Sequence, residues 1–192
     1  MGKIIVSQNV TIDGVVQDPI GNEGFRHGGW FHQIGEKNLE AWATVEYEEA
    51  LAAEALLLGR RSDEFFGKRW NSRSGAWADR LRSMPKFVVS STIEHPVWKN
   101  STVLKGDVVN EVSRLKEKIN GEIVVYASGQ LVRTLLEHDL VDELRLFICP
   151  FVLGAGNRLF GETSDKKPMR LLGARTVGDG LILLTYEPVR DA

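Results

Sequence analysis

Three short stretches carry residue types that bind phosphate, and each follows an apolar run. Leucines 56–58 lead into Gly59-Arg60-Arg61-Ser62. The run "FVV" at 87–89 leads into Ser90-Ser91-Thr92, and "IVVYA" at 123–127 leads into Ser128-Gly129-Gln130. Arginine offers a planar, permanently charged fork that matches phosphate oxygens. Glycine lets a backbone approach a ligand with no side chain in the way. The middle stretch bears on selectivity. A loop that selects NAD often places an acid on the ribose hydroxyls, and an acid would repel a 2′-phosphate. Here the run ends in three neutral hydroxyls, which together with Arg60 and Arg61 point to NADPH over NADH. Taken singly, each stretch is as well explained by solvated charges and an ordinary strand exit. Their recurrence on successive runs points to a shared anion-accepting cleft.

The elements that would position these turns follow from periodicity. Residues 3–12 are rich in β-branched types and close at Asp13-Gly14, a turn pair. A glycine-rich loop over 18–30 follows, of a length that is functional or mobile in compact domains. Helical spacing covers 36–54, a short strand 56–58, a polar loop 67–75, and a helix 77–84 stopped by Pro85. Strands are expected at 87–89, 102–104 and 123–127, and helices at 108–119 and through Leu131, Val132, Leu135 and Leu136. A major strand is expected over 143–153, then a hairpin of 169–177 and 181–189 around "VGDG". Alternating strand and helix imply βαβ crossovers and a largely parallel sheet. The predicted fold is α/β: a mixed, mainly parallel central sheet flanked by helices, with a C-terminal antiparallel hairpin. No repeat or linker interrupts it, so residues 1–192 read as a single domain. In such sheets ligands bind at the carboxyl ends of the strands, where helix N-termini present free N–H groups.

Composition narrows the partners. The 192 residues carry a net charge of -2 and 26% charged side chains, which argues against nonspecific nucleic-acid binding. Cys149 is the one cysteine, inside an apolar run, and reads as core; no disulfide framework or thiol metal cluster is possible. With neither a long apolar span nor a signal segment, the expected location is the cytoplasm and no membrane partner is expected.

The stretches "SQNVTIDGVV", "LLLGRRSDEFF", "PKFVVSST" and "IVVYASGQLVRTLLEHDLVDELRLFICPFVLGAGNRLF", in that order, resemble the dihydrofolate reductase-like superfamily. The likeness is closest to the C-terminal reductase domain of the riboflavin-biosynthesis deaminase-reductase. It spans nearly the whole chain. The resemblance implies an NADPH-dependent reductase. It assigns Gly59, Arg60, Arg61 and Ser62 to the cofactor phosphates and Ser90, Ser91 and Thr92 to the ribose phosphate. Ser128, Gly129, Gln130 and Leu131 would cradle the pyrophosphate, while Asn9, Asp13, Val15 and Val16 would flank the nicotinamide. It also implies a homodimer. Folate-reducing enzymes place a carboxylate on the first helix. An ungapped count from Gly59 reaches Ala43 instead, with Glu40 and Glu46 nearby, so dihydrofolate reduction itself is demoted.

The expected activity is hydride transfer to a C=O or C=N bond of a small pteridine- or ribosylaminopyrimidine-like molecule. The alternative is a noncatalytic nucleotide-binding or sensory module. Asp13 is the proton-handling candidate by position, although closing its turn explains it equally well. Trp30, Phe31 and Trp42 could line a planar substrate's pocket or pack the core. "LGAGNRLFG" at 153–161 has the wrong spacing for a dinucleotide fingerprint and reads as a turn that could wall the substrate pocket. His27 and His32 sit in a glycine-rich loop ill suited to hold a metal, and none is expected. The loop over 18–30 could close as a lid.

Overall fold

The computed structural model describes residues 1–190. Eight strands form one sheet in the order β4-β3-β2-β5-β1-β6-β8-β7. They are β1 (Lys3–Thr11), β2 (Ala55–Gly59), β3 (Lys86–Val89), β4 (Ser101–Leu104), β5 (Glu122–Tyr126), β6 (Glu143–Cys149), β7 (Met169–Val177) and β8 (Leu181–Pro188). The α-helices are α1 (Glu36–Ala52), α2 (Arg60–Trp70), α3 (Ala76–Ser83), α4 (Val108–Lys118) and α5 (Gly129–Glu137). Strands β2, β3, β4 and β5 pair in parallel, whereas β6, β8 and β7 pair antiparallel. This is the mixed sheet with a terminal hairpin that the alternation of runs predicted. The chain divides into two compact units, Met1–Val6 with Tyr47–Asp142 and Ser7–Glu46 with Glu143–Ala192.

In the first unit β2 is buried from Ala55 to Leu58, and β5 from Ile123 to Val125. Unbroken apolar runs of this kind mark strands covered on both faces. Ile5, Leu56, Leu58, Met84, Trp98 and Val124 form its core. Cations close its helix ends, where carbonyls lack intrahelical partners. Arg80 donates to the Ala50 and Ala53 carbonyls at the end of α1 (2.9 and 2.5 Å). Arg82 reaches the Trp70 and Arg73 carbonyls after α2. Lys86, fully buried, donates to the Met84 carbonyl beyond α3 at 2.7 Å and lies 4.9 Å from the Trp98 ring centre. Burial pushes its ammonium down to about 8, against the pull of Asp63 and with a further push from Arg80.

The second unit packs Trp30, Phe31, Phe147, Cys149, Val177, Leu181 and Leu183 together. Burial raises the Cys149 thiol to about 12, in keeping with a core residue. Strand β6 stops at Cys149 rather than running on to 153, because Pro150 cannot continue the ladder and Phe151 N–H turns back to the Cys149 carbonyl (2.8 Å). The glycine-rich loop over 18–30 is internally built. Asp18, buried at a φ of 49°, accepts hydrogen bonds from the N–H groups of Asn22, Glu23 and Phe25 at 2.7, 3.1 and 3.2 Å. Its carbonyl takes those of Gly21 and Gly29. One carboxylate thus replaces the hydrogen bonds that regular structure would supply.

Candidate functional site

The parallel register brings the expected phosphate turns to one edge of the first unit. Gly59 stands opposite Val89 on β3, so Ser90 emerges immediately beyond it. Strand β5 runs on the other side of β2, and its exit places the Ser128 hydroxyl 3.0 Å from the Gly59 N–H, which donates to it. Ser128 N–H in turn donates to the Ser62 hydroxyl at 3.0 Å, and the two hydroxyl oxygens are 2.9 Å apart. Ala127 and Ser128 both adopt left-handed backbone, at φ values of 47° and 57°. That costs about 1–2 kcal/mol per non-glycine residue, and here the bonds around Ser128 offset it. Ser90 folds its turn onto itself, accepting the N–H groups of Thr92 (3.1 Å) and Ile93 (3.2 Å). Ser91 is exposed.

Helices α2 and α5 start directly from these exits, and neither has a side-chain cap on its first amides. By contrast, α4 is capped by Asp107, which accepts the Asn110 N–H at 2.9 Å. Uncapped first turns leave N–H groups and the positive end of the helix dipole facing outward. Arg60 and Arg61 are exposed at the first turn of α2. Arg60 makes a 3.3 Å pair with Glu64, while Arg61 has no ion pair among the described residues. Glycine is not demanded here by the chain itself. A side chain at Gly129 would meet nothing within 4 Å, and one at Gly59 only Ser128 at 3.9 Å. Those missing side chains leave open space beside uncapped helix starts and two guanidinium groups, surroundings that favour an anion. Leu131 is buried in the packed face of α5, so only its backbone can take part.

Asp63, in the same turn of α2, was not singled out by the sequence. Its buried carboxylate accepts the N–H groups of Val97 (2.6 Å) and Trp98 (3.2 Å) and fixes the segment entering β4. Nothing in "RRSDEFF" distinguishes this acid from its half-buried neighbour Glu64.

In the second unit Asp13 organises a cluster. Its carboxylate accepts the Thr11 hydroxyl at 2.6 Å, the Gly154 N–H at 2.8 Å and the Leu153 N–H at 3.3 Å. The Thr11 hydroxyl above all, then the Gly154 and Leu153 amides, hold its carboxyl down at about 2, against the opposing effect of burial. The group is therefore ionised at neutral pH. The Gly-Ala-Gly turn at 154–156 is thereby tied to the β1 turn. A side chain at Gly156, φ 109°, would stand 2.8 Å from Val15 and 2.9 Å from Phe25. Val15 is buried, and Val16 N–H donates to the Asn157 carbonyl at 2.9 Å. Asn9 accepts the Trp42 indole N–H at 2.9 Å, and Trp42 stacks edge-on to Phe31 at 4.8 Å. Trp30 and Phe31 are buried core residues, and the Trp30 indole N–H donates to the Gln17 carbonyl at 2.8 Å. His27 packs edge-on against Phe25. Glu46 lies buried on α1, one turn past Trp42.

The sequence matches the model of the RibD C-terminal domain over residues 2–183. The chain belongs to that family. Among proteins of similar sequence, the uncharacterized protein YyaP of Bacillus subtilis (strain 168) is 26% identical over 138 residues, 69% of this chain and 73% of that protein. A Shewanella sp. PV-4 protein whose name refers it to riboflavin biosynthesis shares the RibD C-terminal fold with a TM-score of 0.77. It is 24% identical and the match covers 98% of this chain and 99% of that one. Dihydrofolate reductase from Enterococcus faecalis, solved with NADP(H) and RAB-propyl, has a TM-score of 0.57 at 14% identity. That match covers 97% of this chain and 96% of that one. The RibD C-terminal domain of this chain therefore has a dihydrofolate reductase-like fold. No helix among the described residues is long and apolar enough to cross a membrane.

Proposed function

We propose that the chain is an NADPH-dependent reductase that delivers hydride to a C=O or C=N bond of a small pteridine- or ribosylaminopyrimidine-like substrate. The observation that carries this reading is the edge where Gly59, Ser90 and Ser128 leave parallel strands, with two uncapped helix N-termini and two exposed arginines. Such an edge accepts several phosphate charges at once. Membership of the RibD C-terminal family and the NADP(H) bound to the Enterococcus enzyme support the choice of dinucleotide.

In this reading the amides that open α2 and α5, with Gly59, Gly129 and Gln130, hold the pyrophosphate. Arg60, Arg61 and the Ser90-Ser91-Thr92 turn hold the 2′-phosphate. The bound cofactor would supply the hydride, and the protein would supply orientation and exclusion of water. Asn9, Val15 and Val16 are proposed neighbours of the nicotinamide, and Trp42, with Trp30 and Phe31 behind it, of the substrate. Asp13 acts as a fixed carboxylate that holds the 153–154 turn, since a group ionised at neutral pH has no proton to give. We further propose that residues 1–192 form a single domain, because β1 and α1 are each continuous across the two units. The proposed assembly is a homodimer in the cytoplasm with no nucleic-acid or membrane partner.

The ionised state of Asp13 also favours a second reading, a binding module that takes up the dinucleotide without turnover. Calorimetry of the purified chain with NADPH and NADH, followed by NADPH oxidation against a panel of pteridines and ribosylaminopyrimidines, separates the two. Tight NADPH binding with oxidation supports the reductase. Binding with no turnover on any substrate supports the module, and the absence of binding removes both.

A further inference from the structure

The two helix starts of the proposed cofactor edge are joined by the hydroxyls of Ser62 and Ser128. Ser128 precedes α5, yet its hydroxyl oxygen accepts the N–H of Gly59, the residue that precedes α2. Ser62, in the first turn of α2, accepts the N–H of Ser128 in return. Each serine thus holds the residue that precedes the other's helix, a reciprocal tie between two helix entries that leaves the first amides of both uncapped. The Ser128 hydroxyl is placed to donate to the Ser62 oxygen and to the Tyr126 carbonyl, each 2.9 Å away. Its one hydrogen is therefore committed inside the protein and is not left for a phosphate oxygen. Ser62 is also buried.

We propose that Ser62 and Ser128 are positioning residues that set the spacing between the α2 and α5 N-termini, and that they govern dinucleotide affinity without donating to the cofactor themselves. This rests on the cofactor reading above. The chemistry concerned is the pyrophosphate, which NADPH and NADH share, so both dinucleotides should feel the pair equally.

The test is a double-mutant cycle with Ser62→Ala, Ser128→Gly and the double variant, with Ser62→Thr as rescue. Glycine at 128 keeps the left-handed backbone while removing the hydroxyl. Dissociation constants for NADPH and NADH are measured by calorimetry well below each variant's melting temperature. Each single variant should lose about five- to tenfold in affinity for both dinucleotides, and the double no more than either single, because one shared interaction is lost. Ser62→Thr should restore binding. Losses that multiply in the double variant would mean two separate phosphate contacts and would overturn the proposal. Unchanged affinity alongside a lowered melting temperature would also overturn it, leaving the pair a role in folding alone. Should the unmutated chain bind neither dinucleotide, the cofactor reading itself fails, an outcome distinct from both.

Discussion

At Gly129 the chain gives up helix propensity for nothing its own packing requires, since the position has open space and no positive φ. Alanine there should therefore raise the melting temperature slightly, as glycine-to-alanine changes at compatible sites contribute about 0.4–1 kcal/mol. The same methyl should weaken NADPH at least tenfold by calorimetry. Unchanged affinity would remove Gly129 from the site. Arg61 and Arg60 can be ranked on similar grounds. Arg61→Ala and Arg60→Ala should each weaken NADPH more than NADH, by roughly 1.5–3 kcal/mol for a charge-assisted contact. The loss should be greater at Arg61, because Arg60 already shares its charge with Glu64. Equal losses for both dinucleotides would refute contact with the 2′-phosphate. At this scale the sequence made the arginines and glycines legible, since their chemistry is local. It could not show that Asp13 is held as a carboxylate, because Thr11, Leu153 and Gly154 meet it only after folding.

Most elements could be read from periodicity; the errors fell where a local pattern met a distant partner. Helix α2 is the main omission. Its residues 67–70 were expected in a loop, and its polar sequence hides an inner face fixed by Asp63 and Phe66. The loop over 18–30 was read as one that could close as a lid; the sequence did not show that the buried carboxylate of Asp18 organises it from within. Lys86 falls just before the strand expected at 87–89 and was not singled out. In the structure it terminates α3, walled by Met84, Trp98, Asp63 and Arg80. An unfolded lysine keeps its proton to about 10.5, whereas Lys86 in the fold releases it near 8. Between those values the unfolded chain binds more protons, so stability should rise with pH by up to about 3 kcal/mol and stay flat below 8. Urea midpoints at pH 7.5, 9 and 10.5 should show this rise in the native chain and lose it in Lys86→Met. Parallel profiles for the two would mean that Lys86 titrates as if in water.

For the molecule as a whole, a net charge of -2 gives an anionic dinucleotide no general attraction, so any steering must come from the local arginines. Raising ionic strength from about 0.01 M to about 0.15 M shrinks the screening length from about 30 Å to about 8 Å. Stopped-flow association of NADPH should slow several-fold over that range, with dissociation changing little. A salt-insensitive association rate would show that the arginines do not guide the ligand. Fold class was legible at this scale because alternating apolar runs constrain the topology strongly. The substrate was not, because Trp42, the residue proposed to meet it, is held by a bond to Asn9 that lies 33 positions away and forms only on folding.

The lone thiol has a practical use. Sealed inside the second unit and reluctant to ionise, Cys149 reacts with an alkylating reagent only when that region opens. The chain thus carries its own native reporter of local opening, with no introduced label and no competing thiol.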